Sequence, residues 1–232
     1  MGGGFQINKM KAIFLAYQDW AISVFEPIKK NPKLSEFILC RTEEELQNLC
    51  IEDYDLLMTC GSSEKLGKEV LSKIDVIGVH CAELDRYSYG SPIQNQIIDG
   101  LIFSKHRIFK LTHNENSNRR HAHDRLFSHE VNLDLSGNMN NILCQMSSTS
   151  IVLFNMYLHD YPEIIWKQWP IEKIVRERRV PIDSCLTKEQ FGKLNTEELY
   201  NFFRCLEEPY PNGYIEDEVG RLYIKNVEFK KK

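Results

Sequence analysis

The segment Ile74-Asp75-Val76-Ile77-Gly78-Val79-His80, continued further on by Gly90-Ser91-Pro92-Ile93-Gln94-Asn95-Gln96-Ile97-Ile98-Asp99-Gly100, decides the fold. Its first part is an apolar run of strand length that delivers a histidine at its carboxyl end. Its second part opens with Ser91-Pro92, proline being favoured in a first helical turn, and closes near Gly100. Between them Leu84 to Gly90 reads as a loop containing Tyr87 and Tyr89. In open α/β sheets, loops leaving the carboxyl ends of the strands surround the ligand crevice, which makes His80 a candidate site residue.

Towards the amino terminus the pattern alternates. Ala12 to Ala16 reads as a buried strand, Trp20 to Lys29 as a helix and Phe37 to Cys40 as a second strand. Thr42-Glu43-Glu44-Glu45 opens a helix with a capping box, and Asp55 to Thr59 leads into Cys60-Gly61-Ser62-Ser63 before a further helix to about Lys73. Short apolar runs alternating with helical segments predict βαβ units and a largely parallel sheet. Downstream, strands are expected at Ile108 to Thr112 and Val131 to Leu135, joined by the polar stretch His113 to His129. A connection that long is more often functional than idle. Asn138 to Leu158 reads as a long helix weakly interrupted at Ser147 to Ser150. After Tyr161-Pro162 a linker is expected. Asn195 with Glu198 then caps a helix through Leu206, and Gly213 to Glu216 with Leu222 to Val227 make a hairpin.

Composition narrows the function classes. A hydrophobic share of 42%, a charged share of 27% and a net charge of −4 describe an ordinary globular chain and disfavour a nucleic-acid partner. The basic runs Lys173 to Arg179 and Lys230 to Lys232 read as solvated faces. Seven cysteines without a CxxC pair fit a reducing, cytoplasmic compartment. No apolar stretch approaches the roughly 20 residues of a membrane span. Met1 to Lys9 reads as a tag or leader, with Met10 as a natural start. Residues 10–160 are expected to form the catalytic domain, and residues 161–232 the linker and a small carboxyl-terminal subdomain.

Three segments in the right order resemble the formyltransferase family, which includes methionyl-tRNA formyltransferase and the nucleotide-sugar N-formyltransferases. The first is Gly78 to Leu84 with Gly90 to Gly100, similar to a strand ending in Asn-x-His followed by Gly-x-x-Pro and a helix closing on Gly. The second is Ile108 to Leu135, where the family carries its catalytic aspartate. The third is Leu199 to Leu206 with Pro209-Tyr210-Pro211. The chain departs from the pattern at Gly78, which takes the asparagine position, and at His123-Asp124-Arg125-Leu126-Phe127, which replaces Asp-x-Gly-x-Ile. The Gly-Ser-Pro-x-Gln-Asn form resembles the sugar-modifying branch.

The resemblance implies an α/β fold, a Rossmann-like, mostly parallel sheet flanked by helices, with a small helix and hairpin subdomain. It implies formyl transfer from 10-formyltetrahydrofolate to the amine of an amino sugar or nucleotide sugar. Such chemistry needs a proton-moving group and a donor to the developing oxyanion. His80 is the centre for the first. Asp124 is its expected partner, with His123 as the alternative occupant of that position. Asn95 is the candidate oxyanion donor. Gly61, Ser62, Gly90 and Ser91 are candidate cofactor contacts, and Tyr87, Tyr89 and Arg125 candidate substrate contacts. The crossover rule predicts that His80 and the loop around Asp124 meet in one cleft. A metal site at His121 and His123 with His113 or His129 is a weaker reading. Other readings are a folate- or sugar-nucleotide-binding protein without turnover, another one-carbon or acyl transfer, and a tRNA formyltransferase, for which the chain leaves little room for a tRNA-binding domain. Oligomeric state is open, a homodimer being one option.

Overall fold

The computed structural model describes residues 9–62, 66–82, 84–87, 90–112, 126–168 and 176–232. The strands are β1 (Met10–Leu15), β2 (Leu34–Cys40), β3 (Leu56–Thr59), β4 (Asp75–His80), β5 (Phe103–Leu111), β6 (Leu126–Asp134), β7 (Lys167–Gln168), β8 (Cys185–Thr187), β9 (Tyr214–Glu216) and β10 (Arg221–Tyr223). The helices are α1 (Asp19–Ile22), α2 (Phe25–Lys29), α3 (Glu43–Gln47), α4 (Lys68–Lys73), α5 (Leu84–Tyr87), α6 (Pro92–Ile98), α7 (Met139–Asp160), α8 (Lys188–Lys193) and α9 (Thr196–Arg204). They divide into two compact units that interleave along the chain. The described residues of Met1–His80, His106–Val131 and Ser147–Trp169 form the first, and those of Cys81–Lys105, Asn132–Met146 and Pro170–Lys232 the second.

The main sheet has the order β2-β1-β3-β4-β5-β6-β7. β1 lies parallel to β2 and β3, and β3 parallel to β4. At β5 the direction reverses: β5 pairs antiparallel with β4, and β7 antiparallel with β6. The parallel arrangement expected from the alternating pattern therefore holds for the first four strands. The connection from His80 to Phe103 re-enters the sheet at the edge it left, so no crossover is made there.

β1 shows why a strand covered on both faces reads as a continuous apolar run. Its side chains alternate between two cores. Ala12 and Phe14 join Phe25, Phe37, Leu56, Met58, Leu153 and Phe154 on one face. Ile13 and Leu15 join Leu46, Ile51, Leu57 and Val76 on the other. The Phe154 ring meets Phe14 edge-on at 5.8 Å, the arrangement the ring quadrupoles favour.

Two helices differ from expectation. The helix read over Trp20 to Lys29 is split into α1 and α2, because Pro27 has no N–H to donate to the carbonyl of Ser23. α7, in contrast, runs unbroken through Ser147 to Ser150. These serines are used as small contacts: the Ser147 hydroxyl donates to the Trp20 carbonyl at 2.7 Å, and fully buried Ser150 lies 3.7 Å from the Cys60 Sγ.

In the second unit, α9 starts with the expected box. The Asn195 side chain accepts from the Glu197 and Glu198 N–H groups at 2.9 and 3.0 Å, and Glu198 accepts from the Asn195 N–H at 2.8 Å. Arg204, 2% exposed, donates to the carbonyls of Leu135 at 2.6 Å and Gly137 at 2.9 Å and to the Asn201 amide oxygen at 2.8 Å, so its buried guanidinium is held by oxygens. The terminal hairpin pairs Tyr214–Glu216 with Arg221–Tyr223, and β8 adds a parallel third strand. The hairpin is shorter than read from sequence at the end away from the turn, its second strand stopping at Tyr223, while within the turn Asp217 Oδ1 accepts from the Val219 N–H at 2.9 Å.

Candidate active site

Leu15, the last residue of β1, pairs with Thr59, the last of β3, and Thr59 pairs with Gly78, so β4 runs two residues further, to His80. The residues just past this edge are the Cys60-Gly61-Ser62 turn after β3 and His80 at the end of β4. Gly61 has φ +56°, and a Cβ there would lie 2.8 Å from the Trp20 ring and 2.9 Å from the Ala21 methyl. Its glycine is thus required by the indole packed beneath the turn. Gly61→Ala is expected to cost about 2 kcal/mol, combining left-handed strain with the clash, and urea unfolding will read it.

Around His80 the register sets the chemistry. His80 pairs directly with Arg107, and Gly78 with Phe109, so these side chains share one face. The His80 ring meets Phe109 edge-on at 6.3 Å. The Arg107 guanidinium pairs with Glu130 and lies 5.0 Å from the centroid of the Phe127 ring. A Cβ at Gly78 would fall 2.5 Å from Thr59 Oγ1 and 2.7 Å from the Phe109 ring. The space that a side chain at position 78 would need is therefore filled by Phe109. Phe109 and Arg107 escaped the sequence reading, although the alternation of Ser104, His106 and Ile108 against Arg107 and Phe109 carries the signal.

His106 is a second imidazole near this site, 1% exposed, with Nδ1 2.7 Å from Thr149 Oγ1. Burial, helped by the His80 ring, pushes its pKa down from 6.5 to about 3, so folding holds it neutral. A proton is bound more weakly in the folded than in the unfolded chain. Stability is therefore complete above about pH 6.5 and is lost as pH falls towards 3. Between pH 7 and pH 5 this group should remove about 2 kcal/mol, measurable as a lower urea midpoint that His106→Gln flattens.

The second unit holds the other candidates. The turn at Gly90 has φ +76°, and a Cβ there would lie 2.7 and 2.8 Å from the carbonyl oxygens of Glu177 and Arg176. Ser91 Oγ accepts from the Arg179 N–H at 3.2 Å. Tyr87 is 4% exposed on a helical turn rather than in a loop, and its hydroxyl donates to Asp99 at 2.7 Å. Burial first, then the Asp99 bond, pushes its pKa up to about 12. On α6 the Gln96 amide donates to the carbonyls of Cys81 and Pro92, both at 3.0 Å, and accepts from Ser104. On the same helix Gln94 and Asn95 are each 6% exposed. Gln94 was not singled out from sequence.

Asp124, His123, Arg125 and Tyr89 lie outside the described residues, as do His113 and His121. The ends of their loop are informative. β5 runs antiparallel to β4, so Leu111 pairs with Val76 while Arg107 pairs with His80. Thr112 thus leaves at the opposite end of β4 from His80, about 17 Å away along the strand at 3.3 Å per residue. The expected meeting of His80 with the loop around Asp124 falls on residues outside those described. Among the described residues no cluster of His, Cys, Asp and Glu could hold a metal, and no helix is long and apolar enough to cross a membrane. None of the seven cysteines, all among the described residues, is in a disulfide.

A mixed seven-stranded sheet, parallel through its first four strands and reversed at β5, with a small three-stranded sheet after it, is the formyltransferase fold. Methionyl-tRNA formyltransferase from Clostridium thermocellum superposes with a TM-score of 0.77 at 21% identity, over 95% of this chain and 94% of that one. A 4-N formyltransferase from Francisella tularensis gives 0.73 at 15% identity, over 97% and 100%. HypX from Aquifex aeolicus in complex with tetrahydrofolic acid gives 0.71 at 12% identity, over 94% of this chain and 37% of that one. No protein-family model and no curated protein matches the sequence.

Proposed function

We propose that the chain is an N-formyltransferase that moves the formyl group of 10-formyltetrahydrofolate to the amine of an amino sugar, carried on a nucleotide. The observation that supports this most is His80 at the carboxyl edge of β4, level with the Gly61-Ser62 turn after β3, in a formyltransferase fold. The folate carrier supplies an activated formyl carbon. As the amine nitrogen bonds to that carbon and the carbon–carrier bond breaks, the amine loses one proton and the carrier nitrogen gains one. His80 takes the first and returns it. Asp124, or His123 in its place, is assigned to orient His80. Asn95, on α6, is the proposed oxyanion donor. Gly61, Ser62 and the Gly90-Ser91 turn are assigned to the donor, and Arg125 and Tyr89 to the sugar nucleotide.

Incubation with formyl-tetrahydrofolate and a panel of nucleotide-linked amino sugars, read by mass spectrometry, tests this directly. A formylated sugar supports the reading; formylated methionyl-tRNA alone would overturn its acceptor. Length does not separate these acceptors, because the superposition covers 94% of a methionyl-tRNA formyltransferase chain. One observation favours a second reading, binding without turnover: Phe109 fills the space at Gly78. Thermal shifts with each ligand and no product in the mass spectrum would establish it.

A further inference from the structure

The basic run read as a solvated face is used, at Arg176 and Arg179, inside the second unit. Residues 176–180 run along both ends of α6. At the amino end, the carbonyls of Arg176 and Glu177 occupy the space that a Gly90 Cβ would take, and the Arg179 N–H donates to Ser91 Oγ at 3.2 Å. At the carboxyl end, Arg176 Nη2 lies 2.6 Å from Asp99 Oδ2, the same oxygen that accepts from the Tyr87 hydroxyl at 2.7 Å. The Arg176 guanidinium also sits 5.5 Å from the centroid of the Tyr87 ring.

The segment is itself anchored. The Arg179 side chain donates to the Asp183 carbonyl, and the Val180 N–H donates to the Asp183 carboxylate at 2.7 Å. One carboxylate, Asp99, therefore ties together α5, the end of α6 and the start of this strap, while the strap's backbone rests on the turn that opens α6. A turn held by backbone contacts alone could slide along its partner. Holding Arg176 on an Asp99 oxygen that the Tyr87 hydroxyl also fixes removes that freedom, because charge-assisted bonds are short and directional.

We propose that Asp99, acting through Arg176, is a positioning residue that sets the Gly90-Ser91 turn for the formyl donor. The donor half of this inference rests on the function proposed above; the positional half does not. The side of the turn that faces the strap is taken, so what the turn offers a ligand comes from its other side.

The test uses the full chain with Asp99→Asn, Arg176→Gln and the double variant. Hydrogen exchange is followed on peptides covering residues 90–96 and, as a control, residues 10–15. Each single variant should speed exchange at 90–96 by about tenfold and leave 10–15 unchanged, the double being no faster than Arg176→Gln. KM for formyl-tetrahydrofolate should rise by about tenfold with kcat within about twofold. Unchanged exchange at 90–96 overturns the positional claim. Faster exchange with unchanged KM upholds that claim and removes the turn from donor binding. Where Asp99→Asn does not fold, Tyr87→Phe removes one bond to the same oxygen, and its exchange at 90–96 decides in the same way.

Discussion

Replacing His80 by asparagine is expected to lower kcat at least a hundredfold while leaving the thermal midpoint unchanged. Asparagine has nearly the same volume but does not titrate near neutral pH, and general acid–base catalysis contributes about 10²–10⁴. The substitution leaves the Phe109 ring and the Arg107 pair in place, so the variant isolates the proton-moving role. Wild-type kcat in His80→Asn would move the chemistry elsewhere. A loss of kcat with a fallen midpoint would make His80 a packing residue against Phe109. Measuring both on one preparation separates these outcomes.

The second large effect is at Gly78. Asparagine there should cost about 3 kcal/mol, because its first side-chain atom already falls 2.5 Å from Thr59 Oγ1 and 2.7 Å from the Phe109 ring. Phe109→Ala in the same chain vacates that space. The pair should therefore be more stable than the sum of the two single losses predicts, a coupling of about 1–2 kcal/mol between contacting sites. Urea unfolding of the four proteins measures it. An unchanged midpoint in Gly78→Asn alone would mean that Phe109 yields freely and does not bar a side chain at this position.

These two positions also show how far the sequence could be read. β1 to β4 were legible because each is an apolar run bounded by helical segments, and the cores on both faces of β1 enforce that pattern. The cap at Thr42 and the box at Asn195 were legible because capping is local, although at Thr42 the Glu45 carboxylate accepts from the Arg41 N–H and the box is not completed. The reversal at β5 was not, since an apolar strand has no sequence mark for direction. That one fact changes where the loop containing Asp124 starts. Likewise Gly78 was visible as a departure, but the ring that fills its space comes from a strand 31 positions later. Tyr87 looked like a loop residue because four residues of helix leave little periodicity, and its partner Asp99 lies across the Gly90 turn. Arg176 and Arg179 were hidden in a run whose composition is that of a solvated face.

The interleaving of the two units has a consequence for how the chain is made. The turn at Gly90 and Ser91 is translated early, yet Ser91 receives its Arg179 bond across 88 positions, and the carbonyl of Leu135 waits 69 positions for Arg204. On a ribosome, β1 to β4 can pair while the remainder is still being synthesised, since their contacts are close in sequence. The second unit is discontinuous and closes only when its last segment emerges. A nascent chain halted before residue 176 would thus present His80 on a formed sheet edge with the Gly90 turn still unbraced, so that any donor-binding surface built on that turn is completed among the final steps of synthesis.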